Sequence, residues 1–466
     1  MYPRRRSILL GKFLFKIMYF ELKEGKLIKR KCEDGMVIDD AVLKNIYTKK
    51  IDEKHNLLID TQHDKCYIIN ESAEKVGIPK EIYNEIIKPK ESNKDSSPNK
   101  IVTFILAITY SCNLHCTYCY QQHDPDLNRN LISKADLRKV LDTIGEYMVN
   151  HPDKQVEMGL FGGEPLLVQN EEIIDEVFKF CKEKKIRVHI TTNGVNLDYY
   201  LKKIIINRKI ISSINPTIDS VKLNYITRKN LNDNKNVDGE TEKIIKCVKT
   251  LLYYKVPVNI ATNVDRHNCK HIWETHDDFK RLGLMDDDRF VWSIGRVDDR
   301  LYETNYPDII REDEIISELL KYKMPINMHA AFLKTTYNLV NKMGVDLHQH
   351  ELKGIHNYCW NSSNQDIVFY IDNDLNTYRC TYTVGRPKYK IFDFSKEQIE
   401  TYKIRDVTNI QYRECEECKI GGYCGGGCQL SHAVNFERCC QYEKETFENF
   451  VEYLIISYIK MKLKEL

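Results

Sequence analysis

After a polar stretch at residues 91–100, the chain settles into an alternation that restricts it to few architectures. Residues 102–109 form a nearly continuous apolar run, as in a strand buried on both faces of a parallel sheet. Five further strand candidates follow at 155–160, 187–192, 211–217, 256–263 and 289–293. Helical periodicity separates them, first from Ser133, with Asp136 three residues on as a capping signal, then at 172–182, 197–206, 241–254 and 271–282. Six strands separated by helices require right-handed crossovers and a parallel sheet, open or curled into part of a barrel. Ligands then belong at the carboxyl ends of the strands.

The flanking regions read differently. Residues 1–90 resemble a small α+β module, with a strand pair at 57–59 and 66–69 across a polar turn and a helix at 80–87. Residues 91–100, containing Pro98, are the linker to the alternating domain at 101–300. Residues 301–358 are expected as a helical bridge. Residues 359–466 are rich in cysteine and glycine and finish in a helix whose apolar stripe, Phe447, Phe450, Val451, Leu454, Ile455, Tyr458 and Ile459, suits core packing.

Charge and hydropathy exclude several classes. The net charge is +2, from 70 basic and 68 acidic residues mixed along the sequence, so no nucleic-acid partner is expected. Arg4, Arg5 and Arg6 precede an apolar stretch, but Lys12 and Lys16 interrupt it and no small-residue cleavage site follows. No run approaches the roughly 18 apolar residues of a membrane span, so a cytoplasmic location is expected.

In that compartment the 16 cysteines point to metal rather than disulfides. Cys32, Cys66, Cys181, Cys247 and Cys269 stand alone and read as small buried hydrophobes. The others gather. SCNLHCTYCY, residues 111–120, sets Cys112, Cys116 and Cys119 in a C-x3-C-x2-C spacing directly after the first strand. Three thiolates hold three irons of a four-iron cluster and leave the fourth open to a ligand other than protein. Zinc is the competing reading, but it requires four closed ligands, and His115 and His123 make only an improvised set.

With Tyr118 before its last cysteine, this segment resembles the signature of the radical S-adenosylmethionine enzymes. Gly162, Gly163, Glu164 and Pro165 after the second strand are similar to that family's GGEP motif, which binds the methionyl amino group. The resemblance adds Asn193, Thr217 and Arg228 as contacts to S-adenosylmethionine, though Thr217 and Ser220 stand where relatives carry Ser and Gly. Cys415-x2-Cys418-x5-Cys424-x3-Cys428, the Cys439–Cys440 pair, and Cys359 and Cys380 upstream resemble the SPASM extension, which holds two auxiliary 4Fe-4S clusters. It implies an outer cluster on Cys415, Cys418, Cys424 and one of Cys439 or Cys440, and an inner one on Cys359, Cys380 and Cys428. For that block taken alone, zinc is again the competing reading.

The implied fold is a partial (β/α)6 barrel with the small α+β module before it and the SPASM domain after it. The implied cofactors are the radical 4Fe-4S cluster, two auxiliary 4Fe-4S clusters and S-adenosylmethionine, with an external one-electron reductant. No catalytic side chain is assigned beyond the cluster ligands. The expected substrate is a small cysteine-containing precursor peptide, modified by a thioether crosslink, because an inner cluster with three cysteines leaves one iron for a substrate thiolate. Formylglycine formation and carbon–carbon crosslinking are the enzymatic alternatives, and an electron carrier or scaffold the non-enzymatic one. Two departures from the pattern stand out: Leu375 replaces a glycine five residues before Cys380, and Thr381 stands where sulfatase-maturing relatives place an aspartate.

Overall fold

The computed structural model describes residues 17–32, 36–37, 46–70, 78–86, 101–122, 124–224, 226–229, 239–299, 306–331, 334–345, 366–394, 415 and 418–465. The chain divides into two compact units, one from residues 1–95, 332–362 and 406–466, the other from 96–331 and 363–405.

In the first unit, strands β1 (Ile17–Lys23), β2 (Lys26–Cys32), β3 (Met36–Val37), β4 (Tyr47–Lys50), β5 (His55–Asp60), β6 (Lys65–Asn70) and β7 (Ile78–Pro79) build two antiparallel sheets. The larger has the order β2-β1-β6-β5-β4, and β3 pairs with β7. The β5–β6 hairpin is the pair legible from sequence, with Ile59 opposite Cys66. Leu58, Tyr67 and Ile69 pack with Tyr19, Ile46, Ile78 and Ile82, the last on the helix Lys80–Ile86. The same unit holds the helices Lys334–Lys342, Gly421–Cys424 and Gln429–Asn449, the last continuing through a π turn, Phe450–Ile455, into Ile456–Glu465. Phe447, Phe450, Val451, Ile455 and Ile459 of the expected stripe are buried.

The second unit is built on one sheet: β8 (Ile101–Ala107), β9 (Gln155–Phe161), β10 (Arg187–Thr192), β11 (Ile211–Pro216), β12 (Val258–Val264), β13 (Phe290–Arg296), β14 (Met328–Ala331), β15 (Asp366–Ile371), β16 (Asn376–Tyr378) and β17 (Phe392–Asp393). Its order is β14-β13-β12-β11-β10-β9-β8-β15-β16-β17, so the six expected strands lie side by side in chain order and the sheet does not close among the described residues. β8 to β15 pair in parallel, and β16 and β17 turn back antiparallel. Ser133 caps the helix Lys134–Asn150 by accepting from the Asp136 N–H.

Two strands add to what the sequence implied. β14 falls in the stretch expected as a helical bridge, and four residues are too few to display a period of two. β15 pairs with β8 although more than two hundred residues separate them, a distance no local pattern encodes. β8 is buried on both faces over most of its length, as its apolar run predicts, whereas β12 and β13 alternate. There, residues of one parity, such as Ile260 and Trp292, are buried, while Asn259 and Ser293 of the other parity stay partly accessible.

Candidate active site

The first cysteine loop leaves the end of β8 and is pinned by backbone bonds. Thr117 N–H donates to the Thr227 carbonyl at 2.9 Å and His115 N–H to that of Lys229 at 2.8 Å, like a short strand pairing. Turns at Cys116 and Cys119 follow, in which Cys119 N–H donates to the Cys116 carbonyl and Gln122 N–H to the Cys119 carbonyl, each at 3.1 Å. The Arg129 guanidinium satisfies the carbonyls of Tyr110 and Gln121 at 3.0 and 3.2 Å. All three thiols are partly buried.

The glycines of the second motif serve this loop directly. Gly162 has φ +122°, and a Cβ on Gly163 would overlap the carbonyl oxygens of Ser111 and Tyr110. That approach lets Gly163 N–H donate to the Thr109 carbonyl at 2.9 Å and Glu164 N–H to that of Ser111 at 2.8 Å. The close neighbour of these glycines is the chain's own backbone. Glu164 is fully buried, and its carboxylate accepts from Thr192 Oγ1 at 2.7 Å, Leu166 N–H at 2.8 Å and Asn193 N–H at 2.5 Å. Burial pushes its carboxyl up from the ordinary range, and these three bonds and Arg228 work against that.

From Glu164 the polar contacts run on to the remaining predicted residues. Asn193 Nδ2 donates to Asn113 Oδ1 at 2.6 Å and lies 3.5 Å from Cys112 Sγ, which also receives the Leu114 N–H at 3.4 Å. The Asn193 carbonyl accepts from Arg228 at 2.8 Å. Arg228 is buried, and its Nε has no hydrogen-bond partner among the described residues. Burial opposes its charge, but Cys116, Tyr118 and Asp219 hold the guanidinium protonated. Tyr118 donates its hydroxyl to Asp219 at 2.7 Å and accepts from Asn263 Nδ2 at 3.1 Å. Asp219 also accepts from the Asn263 N–H at 3.0 Å. Thr217 stands at the end of β11, where its N–H donates to the Thr192 carbonyl at 3.0 Å. Tyr118, Gly162, Gly163, Glu164, Asn193, Thr217 and Arg228 thus share the carboxyl ends of β8 to β11. Asn113, Thr192, Thr227 and Tyr306, whose ring stands 6.3 Å from that of Tyr118, also belong here but carried no sequence signal.

This environment fits an iron–sulfur cluster. Beside Cys112 lies a cavity of about 690 Å³, also lined by Asn113, His115, Arg129, Gln169 and Glu240, among others. N–H donors aim at Cys112, and the Arg228 cation adjoins Cys116, an arrangement that suits thiolates. Burial pushes the Cys112 thiol up to about 11 and that of Cys116 to about 12, and it also raises Cys119, so iron loading must displace protons. Among the described residues, no three His, Cys, Asp or Glu side chains converge on a single ion. Thiolates of a four-iron cluster each reach a separate iron and need no such convergence.

The other cysteines fall in both units. In the first unit, Cys415, Cys418, Cys424 and Cys440 line a cavity of about 510 Å³. Cys439 is buried, with its Sγ 3.9 Å from the Cys428 carbonyl, so Cys440 is the member of the pair that lines the cavity. Burial drives the Cys424 thiol well up, and Glu443, Cys418, Cys439 and Cys415 add to it. The N-terminal sheet braces this region. Thr61 Oγ1 donates to the Lys419 carbonyl at 2.9 Å and accepts from Gly422 N–H at 3.3 Å, while Tyr47 donates to Glu448 at 2.6 Å. Cys380 belongs to the second unit and Cys428 to the first, and Cys359 and His123 lie outside the described residues. Leu375, in place of the expected glycine, adopts φ +62°, so the turn keeps the left-handed conformation that glycine favours. Cys66, Cys181, Cys247 and Cys269 are buried, as lone cysteines should be.

Comparison with known proteins agrees with this geometry. Residues 106–279 match the model of the Radical SAM superfamily. A cysteine-type anaerobic sulfatase-maturating enzyme of Clostridium novyi (strain NT) is 24% identical over 369 residues, covering 74% of this chain and 93% of the relative. A probable GTP 3',8-cyclase of Methanococcus vannielii is 30% identical over 197 residues, covering 41% of this chain and 59% of the relative. Among solved structures, anSMEcpe with bound AdoMet and Cp18Cys peptide aligns with a TM-score of 0.56 at 17% identity, over 78% of this chain and 99% of that one. Streptococcus suis SuiB bound to the precursor peptide SuiA aligns at 0.52 and 13% identity, over 84% and 95%. These two likenesses are of fold. With the three thiols, the GGEP turn and the strand-end network in place, residues 106–279 carry a radical SAM domain.

Proposed function

We propose that this enzyme modifies a small, cysteine-containing, ribosomally made peptide, joining a peptide thiol to a carbon as a thioether. The observation that carries the proposal is the continuous contact from Cys112 through Asn193, Glu164 and Arg228 to Tyr118 and Asp219 at the strand ends. Cys112, Cys116 and Cys119 would hold the 4Fe-4S cluster. When bound, cluster and S-adenosylmethionine supply a 5'-deoxyadenosyl radical that removes hydrogen from substrate, and an external one-electron reductant supplies the electron.

This chain's residues orient and shield. Gly163 and Glu164 hold the loop after β9 against the cysteine loop, and Glu164 keeps one acceptor position for an ammonium group. Arg228 offers an unpartnered Nε to an anionic group. Tyr118, Asn193 and Thr217 border the same strand ends. Cys415, Cys418, Cys424 and Cys440 would hold an outer auxiliary cluster, and Cys380 would serve an inner one with an iron open to the peptide thiolate. The N-terminal module would engage the peptide's leader, and the free thiols suit a reducing cytosol.

Formylglycine formation is the second reading, favoured by the Clostridium novyi relative. Thr381 after Cys380, in place of the expected aspartate, weighs against it. Anaerobic reconstitution with a cysteine-containing peptide decides between them. Thioether formation removes two hydrogens and makes the peptide's cysteine resistant to alkylation without adding an aldehyde, whereas an aldehyde at cysteine would establish the second reading. Absence of 5'-deoxyadenosine would refute both.

A further inference from the structure

Residues just past the first cysteine loop are fastened to residues around Cys380, within one unit. Tyr120, adjacent to Cys119, donates its hydroxyl to the Thr381 carbonyl at 2.9 Å. Its ring lies 4.9 Å from that of Tyr382, tilted by 33°. Four residues after Tyr120, Asp124 pairs with Arg386 at 2.8 Å, and the two side chains are only 13% and 9% exposed. On the near side of Cys380, Asn373 Nδ2 donates to the carbonyls of Asn128 and Asn130 at 2.9 and 2.7 Å. The Cys380 turn is therefore held on both sides by the segment that follows the first cysteine loop.

We infer that Tyr120 is a positioning residue that fixes Cys380 relative to Cys119, through its bond to Thr381 and its ring contact with Tyr382. Only the consequence rests on the function proposed above: a thiolate held near Cys380 must meet a carbon radical opened near Cys119, and displacement of about 1 Å between reacting centres costs roughly a hundred-fold in rate. The ion pair and the asparagine bonds set the general path of the turn, whereas Tyr120, next to Cys119, bonds the residue next to Cys380.

The placement itself is testable without clusters. In the full, cluster-free chain, Tyr120→Phe keeps the ring and deletes the bond, and Tyr120→Leu deletes both. Iodoacetamide labelling under native conditions, read cysteine by cysteine by mass spectrometry, should rise roughly five-fold at Cys380 in Tyr120→Phe, the worth of one hydrogen bond, and further in Tyr120→Leu. Labelling at Cys112 should stay within about two-fold, because its N–H donors are untouched. Equal Cys380 labelling in parent and variants would overturn the inference, as would a parallel rise at Cys112, which marks general loosening. If the reconstituted parent forms no 5'-deoxyadenosine, the proposed function falls and the labelling result stands.

Discussion

In both cysteine regions a glycine lets one turn lie against another backbone, but what stands behind the turn differs. Gly163 brings the loop after β9 onto Ser111 and Tyr110, both on the loop that follows the neighbouring parallel strand β8. Gly422, between Cys418 and Cys424, lies so close to Thr61 that a Cβ would overlap its carbonyl. Thr61 belongs to a hairpin more than three hundred and fifty residues earlier in the chain. The first site is built from consecutive strand ends of one sheet, and the second from a short helix braced by a separate sheet. The lesson is that a buried polar network protects the first site, whereas the second depends on an attachment made at a distance.

The largest expected effect is at Arg228. Arg228→Ala leaves Asp219 buried beside Cys116 and Tyr118 without its cation, and should cost about 3–5 kcal/mol in urea unfolding of the second unit. Near-parent stability would mean the network is not rigid and would blur the contrast between sites. Glu164→Gln replaces one acceptor oxygen with a donor facing existing donors, and should cost about 1.5–3 kcal/mol in stability or in S-adenosylmethionine affinity measured by calorimetry. Unchanged values in both would reduce the segment to an ordinary turn.

The two glycines divide the comparison. Gly163→Ala and Gly422→Ala should each cost about 1–3 kcal/mol by overpacking. After reconstitution the first should lose S-adenosylmethionine cleavage while keeping C-terminal iron, and the second the reverse. Loss of both functions in either variant would show that the sites are not independent. Smallest is Tyr47→Phe, which removes the 2.6 Å bond to Glu448 and should cost about 0.5–1.5 kcal/mol, with slower iron uptake at the C-terminal cavity only.

What could be read from sequence follows the same division. The six strands and their helices were legible because each carries its own local apolar pattern, and Cys112, Glu164 and Asn193 were legible because motifs mark the strand ends. β15 escaped because a parallel neighbour more than two hundred residues away leaves no local pattern. Thr192 as a partner of Glu164, and Thr61 as the brace of Gly422, are side-chain-to-loop contacts set by tertiary packing. Leu375 shows the opposite failure: its residue type argued for a different turn, yet its backbone keeps φ +62°. Asp372, accepting from the N–H groups of Asp374 and Asn376, holds that conformation from outside the residue itself.

The central claim, that Cys112, Cys116 and Cys119 hold a cluster of their own, is tested most directly by counting iron and 5'-deoxyadenosine in the reconstituted parent and in Cys112→Ala, Cys116→Ala and Cys119→Ala. Each variant should lose about four irons and all S-adenosylmethionine cleavage, while the iron proposed for the C-terminal cysteines should remain. Cleavage at the parent rate in all three variants would contradict the assignment.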